Sequence, residues 1–287
     1  YDWQLIHEGP QDPVLHMALD AVITDEVGAG LRPPTLRIWE WSAPAVVIGR
    51  FQSLKNEVDP EGARRHGIEV VRRVSGGGAM FIEPGNSITY SLSAPQALVH
   101  GMSFQESYAF LDAWVLTALQ GLGIKAWYQP LNDIASDIGK IGGAAQARRA
   151  GAVLHHVTMS YDIDADKMVE VLRIGREKLS DKGTTSAKKR VDPLRTQTGL
   201  AREVIIDRMV ETFAGLHRLT PGQVGSDTLA RAQAQADEKF SIASTLQAID
   251  TGFKYKRLDL GGTFIGGPGW GVGLDLRHDQ RDGTRPA

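Results

Sequence analysis

The chain has 287 residues, of which 23% are charged and 42% hydrophobic. That is the make-up of an ordinary soluble globule, long enough to bury a full core as one large domain, or one domain with a small appendage. A formal net charge of −2 leaves no global basic field to recruit nucleic acid or an anionic membrane, and the absence of cysteine removes disulfides, thiolate metal sites and thiol nucleophiles together. No apolar run is long enough to span a bilayer and no signal peptide stands at the amino terminus, so a cytoplasmic location is expected.

Asp12-Pro13 reads as an N-cap followed by proline in the first helical turn, and Leu15, Leu19, Val22 and Ile23 supply the apolar stripe of that helix. Pro33-Pro34 ends it. Short β-type runs follow ("TLRIWEW", "AVVIGR", "IEVVRR", "AMFIEP", "SITYSLS"), punctuated by Gly, Pro or Asn. Ser103 and Glu106 have capping-box spacing, with Phe104, Tyr108, Leu111, Val115 and Leu122 on one helical face. "KAWYQP" and "AVLHHVTMSYDID" read as strands, and Asp164 caps a helix bearing Met168 and Leu172. The stretch "KLSDKGTTSAKKRVDPLRTQTG" is polar, cationic and without periodicity, so a long loop is expected there. Ile205, Met209, Phe213 and Leu216 mark a further helix. After Gly225 the character changes: "TLARAQAQADEKF" is helical, and a glycine-rich tail follows. Clustered strands with flanking helices predict an α/β or α+β fold on a mixed, mostly antiparallel sheet. The expected division is 1–225 for the main domain and 226–287 for a helical, Gly-rich extension.

Three constellations carry chemistry. In "EVVRRVSGGGAMFIE" the glycines suit either a flexible hairpin turn or a loop lying flat against a ligand, its N–H groups free to meet an anion. Strand alternation sends Arg72 and Arg73 to opposite faces, so that one faces solvent and the other the ligand. The pattern fits neither a P-loop nor a dinucleotide fingerprint. In "NDIASDIGKIGGAAQ", Lys140 stands before a glycine pair, where a compact charge can approach a phosphate, and Asp133 is an oxygen ligand suited to Mg²⁺. His155 and His156 face opposite ways on a strand, so they cannot share a metal; one belongs in the core and one in a pocket wall.

Taken in order, "VVIGRFQS", "RRVSGGGAMFIEPGNSITYSL", "NDI…GKIGGAAQ", "LHHVTM" and "KGTTSAKKRV" resemble the lipoate–protein ligase A family, within the wider biotin/lipoyl ligase and octanoyltransferase superfamily. The resemblance covers roughly residues 3 to 219. It implies that Arg73, Ser75, Gly76, Gly77, Gly78, Ala79, Met80 and Phe81 wrap a lipoyl-adenylate, and that the catalytic Lys140 contacts its phosphate and acyl carboxylate. It also implies binding roles for Asn86, Asn132, Asp133 and His155, with Asp133 on Mg²⁺, and an adenylate loop with Lys182, Ser186 and Arg190 at its polar positions. The chain departs from the family at Ile82-Glu83 (often His-Asp), at Gly142-Gly143-Ala144 (often Ser-Gly-Asn) and at Val157 (often Gly).

The activity so implied is an ATP- and Mg²⁺-dependent ligase that turns lipoate into lipoyl-AMP and passes the lipoyl group to a lysine of a carrier domain. Its carriers are the acyltransferase subunits of 2-oxoacid dehydrogenases, the glycine cleavage H protein or similar. The superfamily's octanoyltransferases and amidotransferases pass the acyl group through a cysteine thioester, which a chain without cysteine cannot form. The alternatives are a biotin or octanoate protein ligase, or a non-catalytic lipoate-binding subunit of a two-chain ligase. The tail does not resemble the family's accessory domain, which some members carry on a separate chain, so an accessory partner subunit is a further expectation.

Overall fold

In the computed structural model, residues 1–173, 191–236 and 238 are described. The glycine-rich tail and residues 174–190, which include 178–190 of the expected loop, lie outside them. Helix α1 (Pro13–Gly28) begins as expected: the Asp12 carboxylate accepts from the N–H groups of Val14 and Leu15. Its burial is wider than a stripe. His16, Asp20, Thr24 and Glu26 are buried along with the apolar residues, because α1 is packed against neighbours on several sides.

Among the described residues, eight strands form the main sheet in the order β11-β1-β2-β6-β10-β9-β8-β7. They are β1 (Asp2–His7), β2 (Thr35–Trp39), β6 (Ser87–Pro95), β7 (Trp127–Gln129), β8 (Asp133–Ala135), β9 (Lys140–Arg149), β10 (Ala152–Ser160) and β11 (Arg218–Pro221). Only β11–β1 and β1–β2 pair in parallel; every other neighbouring pair is antiparallel. A second sheet, β4-β3-β5, joins β3 (Ala45–Ile48) to β4 (Glu69–Arg72) and β5 (Met80–Ile82). The mixed, mostly antiparallel sheet flanked by helices is therefore present as the sequence predicts.

Strand β6 shows how both faces of the main sheet are covered. Ile88, Tyr90, Leu92 and Ala94 join the cluster formed with α4 (Phe104–Gly121) and α7 (Arg202–Leu216). Here Phe213 meets Trp3 and Trp114 edge-on, at centroid distances of 5.2 and 5.0 Å. The opposite face is hydroxylic: Ser91 donates to Asp20, Ser93 bonds Thr24 and Thr89 bonds Thr158, so α1 docks through a buried polar seam. Helix α4 carries the full Ser103/Glu106 capping box. Its predicted face holds at Leu111 and Val115, but Phe104 is exposed, with the Arg148 guanidinium 4.7 Å over its ring.

A smaller cluster unites the second sheet with α2 (Leu54–Glu57), α3 (Pro60–Arg65) and α5 (Ala165–Val171); α5 is capped by Asp164 as expected. The end of the expected loop is instead helix α6 (Leu194–Thr198), anchored by the fully buried Leu194 and stopped by left-handed Gly199. Helix α8 (Ser226–Gln235), the start of the extension, packs onto α1: Thr228 Oγ1 donates to Glu26 at 2.7 Å, Arg231 pairs with the same carboxylate, and Ala232 is buried. No helix among the described residues is long and apolar enough to cross a membrane.

Candidate active site

The two sheets and α5 enclose a cleft of about 260 Å³. Its walls are mainly apolar, from Met17, Trp39, Val47, Ile141, Met159 and Met168 among others. The charged side chains on it are few. Of the residues singled out in the sequence, Arg73, Gly78, Ala79, Met80, Phe81, Asn132 and Lys140 line it. An apolar chamber with a few convergent polar groups is the usual form of a small-molecule site.

Arg73 does not reach into solvent, and neither does Arg72 simply do so: the Arg72 guanidinium donates to the carbonyls of Gly49, Arg50 and Gln52. Arg73 turns inward and is 4% exposed. Its Nε donates to Ser75 Oγ (3.0 Å), its Nη1 to Val47 O (3.1 Å), and its Nη2 to Gly76 O (2.6 Å) and Gly78 O (2.8 Å). Burial lowers its pKa to about 10. It stays cationic at neutral pH, and no described carboxylate pairs with it. A buried guanidinium answered only by carbonyls and a hydroxyl is a standing invitation to an anion. The N–H groups of Gly76, Gly77 and Gly78 likewise have no acceptor among the described residues. Gly77 has φ +91°, and a Cβ there would stand 3.0 Å from Arg73 Nη2, so this position tolerates only glycine without strain.

Lys140 opens β9 at the rim of the cleft and is 46% exposed, with Nζ 2.7 Å from Asp133 Oδ1. Asn132 fastens the neighbouring strand: its Nδ2 donates to Ala144 O at 2.6 Å and its carbonyl accepts from Ala144 N at 2.8 Å. Gly143 matters to the lysine, since a Cβ there would lie 2.9 Å from Nζ. Gly143→Ala is expected to push Lys140 off Asp133 while the fold stays intact. A tenfold or smaller change in affinity for the acyl-adenylate that the sequence resemblance implies, with an unchanged thermal midpoint, is the expected pattern, roughly one charge-assisted hydrogen bond. A collapse of the thermal midpoint would contradict it.

Several expected residues lie elsewhere. Ser75 is buried behind the cleft, against His156. Asn86 does not line it: the Asn86 carbonyl accepts from the N–H groups of Tyr161 and Asp162 and its amide reaches Glu83, bracing the β5–β6 turn. His155 is turned to the opposite face of the sheet, where it bonds Asp112 (2.7 Å) and Gln146 (3.1 Å); His156 is the histidine in the cleft wall. The pleat allows only one of the two neighbours on that side. Lys182, Ser186 and Arg190 lie outside the described residues, although Leu172 and Val191 on either side line the cleft. Asp133 has given Oδ1 to Lys140, and no three His, Asp or Glu side chains converge among the described residues. These donors do not by themselves build a Mg²⁺ site.

On α1, His16 is stacked on Trp39 at 4.7 Å and its pKa is lowered to about 3, first by burial and then by Arg37. Its neutral form is the one the fold accepts. Its contribution to stability is therefore complete above the unfolded value near 6.5 and is lost as pH falls from there toward 3. Urea denaturation should show the stability difference between wild type and His16→Gln shifting in favour of the variant across that window. A pH-independent difference would contradict a neutral buried imidazole.

Residues 12–214 match the lipoyl protein ligase A/B catalytic domain family. The chain belongs to this family. It is 30% identical to octanoyltransferase LipM of Symbiobacterium thermophilum, over 83% of this chain and 96% of that protein. It is 26% identical to LipM of Geobacillus kaustophilus, over 74% and 83% of the two chains. Among solved structures, it is similar to the bi-partite lipoate protein ligase of Thermoplasma acidophilum (TM-score 0.74, 24% identity, 90% of this chain and 98% of that one). A lipoate-protein ligase A bound with ATP aligns with TM-score 0.73 at 23% identity, over 83% and 96% of the chains. This member of the lipoyl ligase family thus has LipM octanoyltransferases among its relatives in sequence and the lipoate ligase fold in structure.

Proposed function

We propose that the chain activates a medium-length acid, lipoate or octanoate, as its adenylate with ATP and transfers the acyl group directly to a lysine of a lipoyl carrier domain. The observation that carries this reading is an apolar, cation-flanked cleft in a chain without a single cysteine. The acyl chain takes the apolar walls. Its carboxyl and the phosphate take Arg73, Lys140 and the glycine-loop N–H groups. A free carboxylate is a poor acyl donor because its leaving group is oxide; attack of the carboxylate oxygen on the α-phosphorus of ATP, with departure of pyrophosphate, gives an adenylate whose leaving group is AMP. Cations and N–H groups aimed at the phosphoryl and carbonyl oxygens stabilise the charge that develops there. The carrier amine attacks the carbonyl carbon, the carbon–oxygen bond to AMP breaks, and the amine's proton passes to solvent. Enclosure in an apolar cleft shields the mixed anhydride from water.

A second reading is favoured by the names of the sequence relatives: octanoyl transfer from a thioester donor, without ATP. No residue of this chain can hold the acyl group as a thioester, so such a transfer would have to be direct. Two parallel incubations with an apo lipoyl domain separate the readings, one with ATP and the free acid, the other with an octanoyl-thioester carrier and no nucleotide. Mass spectrometry scores acyl-AMP and acylated domain; acylation from the thioester alone selects the second reading. The Thermoplasma acidophilum ligase is bi-partite. An accessory chain for adenylation is the corresponding expectation here, and supplying preformed acyl-AMP tests transfer apart from it.

A further inference from the structure

A line of buried polar groups runs from α1 to the glycine loop behind the cleft. The Asp20 carboxylate is held by Arg37 Nη2 (2.8 Å) and Ser91 Oγ (2.8 Å), and its Oδ2 meets His156 Nδ1 at 2.8 Å. His156 Nε2 meets Ser75 Oγ at 2.6 Å, and Ser75 Oγ accepts from Arg73 Nε at 3.0 Å. Arg73 then holds the carbonyls of Gly76 and Gly78. Burial works against the charge of Asp20, but Arg37 and the hydrogen bonds outweigh it and hold its carboxyl below the usual range. An ionised carboxylate only accepts and a guanidinium only donates. The two ends therefore set the direction of the whole line: His156 Nδ1–H donates to Asp20, and the Ser75 hydroxyl donates to His156 Nε2.

We propose that Asp20 and His156 are positioning residues, which orient Ser75 and through it fix Arg73 and the glycine loop at the cleft. The role assigned to Arg73 rests on the function proposed above; the positioning itself does not. None of the four side chains is more than 7% exposed, so water cannot replace a missing link cheaply. The same atoms have the order of a Ser-His-Asp relay. Ser75, however, is 1% exposed, lies behind the cleft wall and is bonded by Arg73, which suits a strut and not a nucleophile.

Acid should break the line. The groups facing His156 are Asp20 on α1 and Arg73 in the loop, with Arg37 and His16 beyond Asp20, Lys140 on the same cleft, and His155 next in the chain but on the other face of the sheet. Burial lowers the His156 pKa below its ordinary 6.5 despite Asp20. Protonation would make Nε2 a donor, set two cations on one serine oxygen and leave the serine hydroxyl without its acceptor. The line is complete above pH 6.5 and fails as pH falls through the lower folded value.

Hydrogen exchange of the two amides bonded at this loop, Arg73 N–H (to Ile48 O) and Arg50 N–H (to Ser75 O), in protein without substrate, tests this for wild type, His156→Gln, His156→Ala and Asp20→Asn. KM and kcat for preformed octanoyl-AMP are measured alongside. In wild type, loop protection, corrected for intrinsic exchange, is expected to fall below pH 6.5. In folded His156→Ala and Asp20→Asn the loop should exchange about tenfold faster at neutral pH, as for one lost buried hydrogen bond, and KM should rise with it. His156→Gln, with no titrating ring, should lose the acid step and remains informative if the alanine variant does not fold. Unchanged loop exchange and an unchanged acid step in the folded variants would overturn the proposal. So would an octanoyl ester on Ser75 in quenched wild-type enzyme. Because exchange is read without substrate, loss of positioning and absence of acyl transfer are scored separately.

Discussion

Lys140→Ala should lower the rate of acyl-AMP formation by about 10²–10³-fold, the cost of removing one pre-aimed charge from a developing anion. The side chain is half-exposed at the cleft rim and, among the described residues, only the Asp133 carboxylate pairs with it, so its removal opens no core cavity. Thermal unfolding should be nearly unchanged. A folded Lys140→Ala enzyme with near-normal turnover would rule out the lysine as the principal cation at the reacting carboxyl. Stopped-time assays of acyl-AMP by mass spectrometry, with a melting curve on the same sample, make the measurement.

Gly77→Val should lose ligand before it loses fold. At φ +91° a β-branched residue is strained by about 1–3 kcal/mol, which sets the expected drop in stability. The added carbons also enter the 3.0 Å space beside Arg73 Nη2 and displace the guanidinium from the Gly76 and Gly78 carbonyls. Acyl-adenylate affinity is expected to fall by more than about 100-fold, beyond what the backbone strain alone would give. Calorimetric titration with a non-hydrolysable acyl-adenylate analogue, next to urea denaturation, reads both. Equal losses in both would mark the glycines as a plain turn.

Local signals were the legible part of this chain. Asp12-Pro13, the Ser103/Glu106 box and Asp164 name helix starts because capping involves neighbours in sequence. The arginine–glycine run and Lys140 were legible too, because their residue types are unusual in company, and both reach one cleft. Other features needed tertiary contacts. Asp20, Ser75 and His156 meet only because α1 lies across β6 and β10, and no spacing along the chain reports that. The histidine pair shows the limit most clearly. Alternation says that one neighbour faces each way, but only the pairing of β10 with β6 and β9 decides that His156 takes the cleft and His155 the core. Asn86, given a binding role only by the resemblance, braces the β5–β6 turn through contacts that no local pattern announces.

The most direct test follows the oxygen. With carboxyl-¹⁸O octanoate, ATP and an apo lipoyl domain, activation as an adenylate transfers one labelled oxygen to the phosphate of AMP. The account predicts labelled AMP in step with acylated domain, from a chain that carries no cysteine. Acylated domain without label in AMP, or acylation from an octanoyl thioester at the same rate without ATP, would contradict it.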